Sequence, residues 1–319
     1  GFEAFTNNAT KAVTETTDAG LVKFMAYGYY MAPDKNVANS TTTTVFNGTA
    51  VVGNANSSVW DYTNGDDNKL KYWTANEYWF AGYANKNASE VIPDVEFNEE
   101  TTTDDEEETT KYGVLIIPNY TATDDEDLVA DVVFVDNTNN NPQNVSLNFE
   151  HLLTKVQFTV KNNDSKYKMQ ITSALVVDGI KTTADCKVTE TAVTWTDHKT
   201  NRDNFKPVAT TAAGTYLAPG TSSTSTVYFV LPQDLENVKF SVTGTFYDEN
   251  NQIVNTKVLS EKPVSNTKCT SWENGYYYNY KISLPTSAKP IIFNKPGVNP
   301  WKNAIAIELN TEDYPTQGE

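Results

Sequence analysis

Hydrophobic and polar residues alternate over short stretches along the whole chain, and this two-residue period is typical of β-strands. No segment longer than about ten residues repeats its apolar positions every 3.6 residues, as a helix would. The sequence therefore predicts an all-β protein with few and short helices. The predicted strands are Val22–Tyr30, Val45–Val52, Lys71–Ala81, Tyr112–Ile117, Leu128–Val135, Val156–Val160, Met169–Val177, Val188–Trp195, Thr226–Leu231, Val238–Tyr247, Ile253–Leu259 and Tyr276–Leu284.

The alternation changes phase in the stretch Val145–Val160. Six apolar residues define the two phases: Val145, Leu147 and Phe149 on one parity, and Val156, Phe158 and Val160 on the other. Because side chains alternate strictly in a strand, the change requires a bulge, a turn or a crossing between sheets. We therefore expect two β layers or two β domains to meet here.

Polar stretches separate the predicted strands. Asp248–Gln252 lies between two alternating runs and predicts a β-hairpin. Asn98–Thr110 and Asp136–Asn144 are rich in charged residues or asparagine, and we predict that both are solvated, mobile loops.

The chain has 319 residues, which is more than a single domain usually contains. The number of strands fits two sandwich domains of about 150 residues each. We place the boundary near Asn148, which divides the chain into an N-terminal β-sandwich, residues 1–148, and a C-terminal one, residues 149–319.

The net charge is −17, from 41 acidic and 24 basic residues. A chain this acidic is repelled by the phosphates of nucleic acids and by anionic lipid surfaces, so no nucleic-acid partner is expected. Thr, Val and the aromatic residues suit half-buried pleated surfaces, and Asn and Asp suit turns. The composition is therefore that of an extracellular β protein.

Candidates for catalysis or metal binding are few. The two histidines, His151 and His198, lack the neighbours that a catalytic triad or a zinc site needs, and no nucleotide-binding or hydrolase motif is present. The acidic runs Asp104–Glu108 and Asp124–Asp127 lack the spacing and central glycine of a calcium loop, so solvated loops are the better interpretation. We predict no enzyme, no metal and no cofactor, and a structural role for His151.

Two cysteines, Cys186 and Cys269, lie in the second half of the chain. They are too few for a disulfide scaffold and have no metal-ligand spacing. In an exported protein they could form one bridge across a long loop, or they could be two buried free thiols. We expect them to lie close together in the second domain in either case.

Aromatic residues are concentrated in the first half of the chain, and sugar rings stack on exposed tyrosine and tryptophan. Seven aromatic residues form this concentration: Trp60, Tyr62, Trp73, Tyr78, Trp79, Phe80 and Tyr83. The run Lys71–Ala81 alternates as a strand would, so burial between sheets explains most of them. The alternative is that these aromatic residues form a glycan-binding surface.

Both ends of the chain carry isolated apolar segments. Phe2–Phe5 is followed by Lys11 in a polar stretch, which makes Lys11 a candidate site for a trypsin-like protease. Near the other end, a short segment alternates as a strand: Trp301, then Ile305, Ile307 and Leu309 on one face. This segment suits an edge strand of its own domain or a strand donated to a neighbour's groove.

Four stretches of the chain resemble the fimbrillin family, the subunits of type V pili of anaerobic Gram-negative bacteria. The run F-x-H-L-L-T-K-V-x-F at Phe149–Phe158 carries the resemblance most clearly. The other three are the N-terminal run from Phe2 through Ala12 with Phe24–Tyr27, the aromatic run Trp73–Ala84, and the run Trp272–Leu284 with Ile291–Phe293 and Trp301 after it.

The resemblance implies two tandem transthyretin-like β-sandwich domains and a precursor exported as a lipoprotein to the outer membrane. It implies maturation at the cell surface by a trypsin-like protease that removes the first strand, and Lys11 stands where the family often carries arginine. A strand from another subunit would then fill the vacated groove, with residues 301–319 as the candidate donor.

A sandwich that lacks one strand exposes unpaired backbone groups and an apolar stripe, which a supplied strand satisfies. Head-to-tail contacts of this kind do not close and so produce filaments. The sequence thus predicts a structural pilus subunit, stalk or tip, that assembles with other subunits and takes part in adhesion to a host or bacterial surface ligand. The alternative is a secreted or cell-surface glycan-binding module that does not polymerise.

Overall fold

The computed structural model describes residues 2–5, 21–32, 42–53, 60–63, 70–85, 94–103, 109–123, 126–267, 269–286 and 294–300, with only the backbone at 2–5, 109 and 294–300. These ranges contain strands, turns and irregular segments but no helix, which confirms the all-β prediction. No helix in this described part therefore has the length and hydrophobicity that crossing a membrane requires.

Twenty strands are formed by the described residues. In chain order they are β1 Phe2–Phe5, β2 Lys23–Met31, β3 Thr42–Val52, β4 Glu77–Asn85, β5 Glu96–Thr103, β6 Thr109–Thr121, β7 Asp127–Asp136, β8 Val145–His151, β9 Thr154–Asn162, β10 Lys168–Asp178, β11 Lys181–Val188, β12 Val193–Asn201, β13 Ser222–Thr224, β14 Tyr228–Val230, β15 Gln233–Asp234, β16 Lys239–Tyr247, β17 Ile253–Pro263, β18 Ser271–Trp272, β19 Tyr276–Leu284 and β20 Asn294–Pro300.

The chain forms two compact units. The first contains Gly1–Leu153 together with Thr183–His198, and the second contains Thr154–Thr182 together with Lys199–Glu319. The chain therefore passes from one unit to the other between β8 and β9, returns within β11, and leaves again within β12. The expected division at Asn148 does not include this return, and the independence of the two halves as domains stays a prediction.

The first unit contains a six-stranded sheet in the order β1-β8-β7-β4-β2-β3 and a four-stranded sheet in the order β12-β11-β6-β5. The two sheets meet closely at Gly113 of β6, where an added Cβ would lie 2.9 Å from the side chain of Trp79 on β4. On the six-stranded sheet, one core joins buried residues of β2, β4, β7 and β8, among them Phe24, Phe80 and Leu147.

The second unit is a sandwich of its own. A three-stranded sheet, β10-β16-β17, and a sheet formed by β9, β13, β14, β19 and β20 share one core. Phe158 of β9 stacks on Tyr280 of β19, with ring centroids 5.2 Å apart. The indole of Trp272 is 1% exposed and donates a hydrogen bond to the Tyr280 hydroxyl at 2.8 Å.

Two predictions from the hydrophobic pattern are confirmed in detail. The phase change separates β8 from β9, which lie in different sheets, and only Leu152 and Leu153 connect them. The predicted hairpin is formed by β16 and β17, which pair antiparallel. Its turn is closed by Asp248, whose carboxylate accepts hydrogen bonds from the backbone N–H groups of Asn250 and Gln252 at 2.9 and 2.8 Å.

Several predictions from the hydrophobic pattern differ from the structure. The predicted strand Lys71–Ala81 begins only at Glu77, because residues 70–76 are irregular. The predicted strand Val188–Trp195 is interrupted by a turn, closed by a hydrogen bond from the Thr189 N–H to the Ala192 carbonyl at 2.9 Å. The strand that follows is β12, so His198 lies in a strand and not in a loop.

The acidic stretch Asn98–Thr110 is not a loop over its whole length. Residues 98–103 belong to β5, which pairs antiparallel with β6 from Glu96 to Thr103. Basic groups of neighbouring strands compensate the acidic side chains: Lys111 lies 3.2 Å from Glu99, and Lys187 lies 2.5 Å from Glu100. The hydrogen bond from Lys187 lowers the pKa of Glu100. Cross-strand pairing of this kind cannot be seen in the local charge pattern.

The alternation on β8 predicts a sharp difference between neighbouring residues. Leu147 is fully buried and Ser146 is exposed. We expect Leu147→Ala to lower the free energy of unfolding by about 2 to 5 kcal/mol, because it leaves a cavity in the core. Ser146→Ala, the matched control, should change it by about 0.5 kcal/mol or less. Urea titration of both variants measures the difference, and equal effects would contradict the assigned faces of β8.

Candidate functional site

The N-terminal strand β1 is the outermost strand of the six-stranded sheet, and β8 is its one neighbour there. The two strands run parallel, with Phe2 opposite Val145 and Phe5 opposite Asn148. A four-residue parallel pairing contributes few hydrogen bonds. Since β1 ends the sheet, it can leave without breaking any other strand pairing described here.

The two neighbours of β8 pair with different halves of it. β7 pairs with Phe149–His151, whereas β1 pairs with Val145–Asn148. In the described registers, the first half of β8 therefore has β1 as its strand partner. Loss of β1 would leave the backbone N–H and C=O groups of this half without a ladder, and unpaired strand backbone readily accepts another strand.

The apolar side chains of β8 are packed in the core, whereas the backbone of its first half pairs with β1. Val145, Leu147 and Phe149 are all 5% exposed or less. The Phe149 ring lies 5.1 Å from that of Phe24, and an added Cβ at Gly82 would meet the same Phe149 ring at 2.7 Å. Packing this close holds β8 in the core, so the strand edge that β1 covers is a fixed feature of the unit.

The C-terminal strand β20 is also an edge strand. It pairs antiparallel with β19, with Tyr276 opposite Pro300 and Lys281 opposite Asn294, and the pairing is interrupted by an irregularity. Pro296 and Pro300 have no N–H group to donate to a ladder. The candidate donor residues Trp301, Ile305, Ile307 and Leu309 follow directly but lie outside the described residues, as does the candidate cleavage residue Lys11.

A buried polar cluster lies where β8 ends. Nδ1 of His151 is 2.7 Å from Oε1 of Glu126, and the two side chains are 11% and 1% exposed. The next residue, Leu152, donates its backbone N–H to the carbonyl of Asp127 at 2.8 Å. The imidazole and this backbone bond together tie the end of β8 to the beginning of β7.

Asp127 is the centre of a hydrogen-bonded group between two sheets. Its carboxylate accepts a hydrogen bond from the amide of Asn85 on β4 at 2.6 Å and another from the Tyr120 hydroxyl on β6. Burial raises the pKa of Tyr120 well above its ordinary value, and the charge of Asp127 raises it further. The phenol therefore stays protonated and keeps donating to the carboxylate.

These contacts correct the interpretation of the acidic run Asp124–Asp127. Glu126 and Asp127 are 1% and 3% exposed, so this half of the run is part of the interior and not a solvated loop. The described residues contain no group of three His, Cys, Asp or Glu side chains that could hold a metal ion. The contact of His151 with Glu126 is compatible with the structural role that the sequence predicts, and that role stays a prediction.

The cysteines are free, buried thiols, which is one of the two alternatives left open by the sequence. The sequence predicts that both lie close together in the second domain, but they belong to different units. Cys186 lies on β11 in the segment that returns to the first unit, and Cys269 lies in the second unit. Burial raises the pKa of each thiol, so both stay protonated at neutral pH.

Most residues of the aromatic concentration lie in the interior, as expected. Five of the seven are buried: Trp60, Tyr78, Trp79, Phe80 and Tyr83. Tyr62 and Trp73 are half-buried and pack against the core of the six-stranded sheet. Sequence reasoning did not single out Tyr72, which is 78% exposed beside Trp73.

A family model described as fimbrillin-like matches residues 10–301, which is most of the chain. The chain belongs to the fimbrillin-like family. This agrees with the resemblance carried by Phe149–Phe158, the stretch in which this fimbrillin-like chain leaves one sheet for another. Curated proteins gave no match.

Similar solved structures have low sequence identity to this chain, and the first of those described next shares its fold. A fimbrial protein from Bacteroides vulgatus has a TM-score of 0.56 at 13% identity, over 94% of this chain and 99% of the other. Putative cell adhesion proteins from Bacteroides uniformis and Parabacteroides distasonis have TM-scores of 0.42 and 0.46, at 16% and 12% identity. These cover 89% and 96% of this chain, and 94% and 97% of theirs.

The contact between His151 and Glu126 can be measured as a coupling energy. We expect His151→Ala to lower the free energy of unfolding by about 3 kcal/mol, because it leaves a buried carboxylate without this partner. In the double variant His151→Ala/Glu126→Ala the carboxylate is gone. The double variant should therefore lose less free energy of unfolding than the two single variants lose in sum. Chemical denaturation of the three variants gives the coupling, and strictly additive losses would contradict a direct interaction.

Proposed function

We propose that the chain is a subunit of a surface filament, a pilus, and that β1 occupies the position that a strand of another subunit takes in the filament. The observation that carries this proposal is the division of β8 between its two neighbours. β1 pairs with Val145–Asn148 and is the last strand of its sheet. Its departure creates a single vacant strand position next to a buried apolar row.

Cleavage after Lys11 is the proposed trigger. While the chain is intact, β1 is covalently tethered to the unit, and its effective concentration at β8 exceeds that of any separate strand. Cutting the tether removes this advantage, because a four-residue strand pairing is too small to hold a free peptide in place. The vacant position then becomes accessible to a longer strand.

The incoming strand is proposed to come from residues 301–319 of another subunit, with Ile305, Ile307 and Leu309 on its apolar face. β8 offers seven residues, Val145–His151, of which β1 pairs with four. A longer donor can therefore form a longer ladder than β1 does. Main-chain hydrogen bonds supply affinity in such complexes, and alternate side chains supply specificity.

A donor at one end of the chain and an acceptor formed by the other end give a heterologous contact. Each added subunit then presents a new donor or acceptor, so the assembly does not close and grows as a filament. The proposed partners are accordingly other pilus subunits and a maturation protease of trypsin-like specificity. The proposed location is the cell surface at the outer membrane, after export as a lipoprotein precursor.

The proposed role is structural and adhesive, and not enzymatic. Membership of the fimbrillin-like family supports a structural role. The likeness to a fimbrial protein from Bacteroides vulgatus agrees with a filament at a surface. The choice between a stalk subunit and a tip subunit depends on whether the C-terminal segment is donated.

Protease treatment of the full chain tests the trigger. Trypsin should convert the wild-type monomer into filaments visible by electron microscopy, and Lys11→Ala should stay monomeric. Lys239→Ala, which changes an exposed lysine of the second unit, is the matched control and should polymerise like the wild type. A cleaved wild type that stays monomeric, or a truncation of 303–319 that still forms filaments alone, contradicts the proposal.

A reversible crosslink tests whether β1 must leave β8. Glu3 lies opposite Ser146, and Ser146 is exposed, so Glu3→Cys/Ser146→Cys should form a disulfide that locks the strand. We expect the oxidised, protease-treated variant to remain monomeric and to polymerise once a reductant is added. The native thiols are buried and should not interfere. Filaments formed by the fully oxidised variant would exclude the release of β1 as a required step.

A further inference from the structure

An open cleft lies on the first unit, between β3, β4 and the irregular segment that precedes β4. Its volume is about 120 Å³. That is below the usual range for small-molecule sites, about 300 to 1,000 Å³, so the cleft suits a ligand that lies partly outside it. Its walls are mainly aromatic, with Tyr62, Tyr72 and Trp73 among them, and polar groups are supplied by Lys71 and Gln143.

Tyr72 differs from the other aromatic residues in the described part of the chain. Nearly all of them are buried or half-buried, and the two exposed ones are Tyr72, at 78%, and Phe134, at 41%. A ring that stays this exposed contributes little to the core. Exposed apolar surface next to a concave site is a common mark of a binding surface.

The segment that carries Tyr72 is held in place although it is not a strand. The backbone N–H of Lys71 donates to the Tyr62 hydroxyl at 3.1 Å, and that of Thr74 donates to the Tyr78 hydroxyl at 2.9 Å. The amide of Asn137 donates to the carbonyl of Thr74 at 2.6 Å. These bonds hold the backbone on both sides of Tyr72, so little backbone entropy remains to be lost when the ring binds a ligand.

Trp73 forms the fixed wall of the cleft. Its ring meets the ring of Tyr78 nearly edge-on, with centroids 4.6 Å apart, and that of Phe80 at 5.8 Å. Both partners are buried core residues of β4. Tyr72 and Trp73 therefore combine one exposed ring with one ring locked to the core, side by side in the same cleft.

We propose that this cleft binds a saccharide, with one neutral pyranose ring stacked on Tyr72 and Trp73. Apolar faces of sugar rings suit aromatic platforms, while their hydroxyls suit the amide of Gln143, the ammonium group of Lys71 and the hydroxyl of Tyr62. The net charge of −17 repels acidic polysaccharides over long range, which favours a neutral one. The cleft borders the strand position of β1, because Val145 lines it and pairs with Phe2, but the proposal does not depend on the strand exchange.

Isothermal titration of the uncleaved full-length chain with four neutral oligosaccharides tests the site: cellohexaose, maltohexaose, mannohexaose and xylohexaose. At least one should bind the wild type with a dissociation constant in the millimolar range or tighter. Tyr72→Ala should weaken that binding about tenfold or more. Tyr72→Phe keeps the ring and should retain binding close to that of the wild type.

The control is Ile253→Ala, which removes an exposed apolar side chain of the second unit, 66% exposed, and should bind like the wild type. Because Tyr72 is exposed, its variants should unfold at the wild-type temperature, so a loss of binding reflects the site and not the fold. Failure of all four sugars to bind at millimolar concentration overturns the proposal. So does unchanged binding by Tyr72→Ala, or binding of a peptide with the sequence of residues 301–309 in the cleft in place of sugar.

Discussion

Backbone hydrogen bonding along β8 is the constraint on which the proposed function depends. Every buried N–H and C=O group of a strand needs a partner, and β8 receives its partners from two strands that cover different halves. Its apolar side chains fix it in the core independently of either neighbour. The first unit thus contains a strand that is firmly placed but incompletely paired without β1.

The end of β8 is stabilised in a different way. There the chain must leave one sheet and enter another within the two residues Leu152 and Leu153, so regular pairing cannot continue. His151, Glu126 and Asp127 replace it with buried polar contacts that connect the end of β8 with the beginning of β7. Such a polar cluster is costly to bury unless its members are mutually satisfied, which ties its geometry to a single arrangement. Polar contacts therefore hold this end of β8 in the first unit, while its opposite end is the part that β1 can uncover.

Acidic side chains on the first unit are also paired, in this case with basic side chains. β5 carries Glu99 and Glu100 on the edge of a sheet, and lysines from β6 and β11 neutralise them. Lys187 reaches Glu100 only because the segment Thr183–His198 returns to this unit. Charged side chains on an edge strand also discourage unwanted pairing with other chains. The edge beside β8 has a different protection, namely a removable strand.

The hydrophobic pattern by itself determined the all-β class, the β16–β17 hairpin and the phase change between β8 and β9, because each is a local consequence of alternation. It also indicated β1 as an isolated strand, since Phe2–Phe5 is short, apolar and followed by a long polar stretch. The family resemblance added the expectation of strand exchange. These features require only neighbours in sequence, or short turns such as Asp248–Gln252.

Tertiary structure decided what depends on residues distant in the chain. Glu126 and Asp127 look like a solvated acidic run, and only the approach of His151, Asn85 and Tyr120 places them inside. Cys186 belongs to the first unit although it lies in the second half of the chain, because β11 passes from one unit into the other. Tyr72 and Trp73 are adjacent in sequence, yet one is exposed and the other locked to the core by Tyr78. The charge and hydrophobicity of a residue indicate whether it prefers burial or exposure. Its actual partners depend on long-range packing.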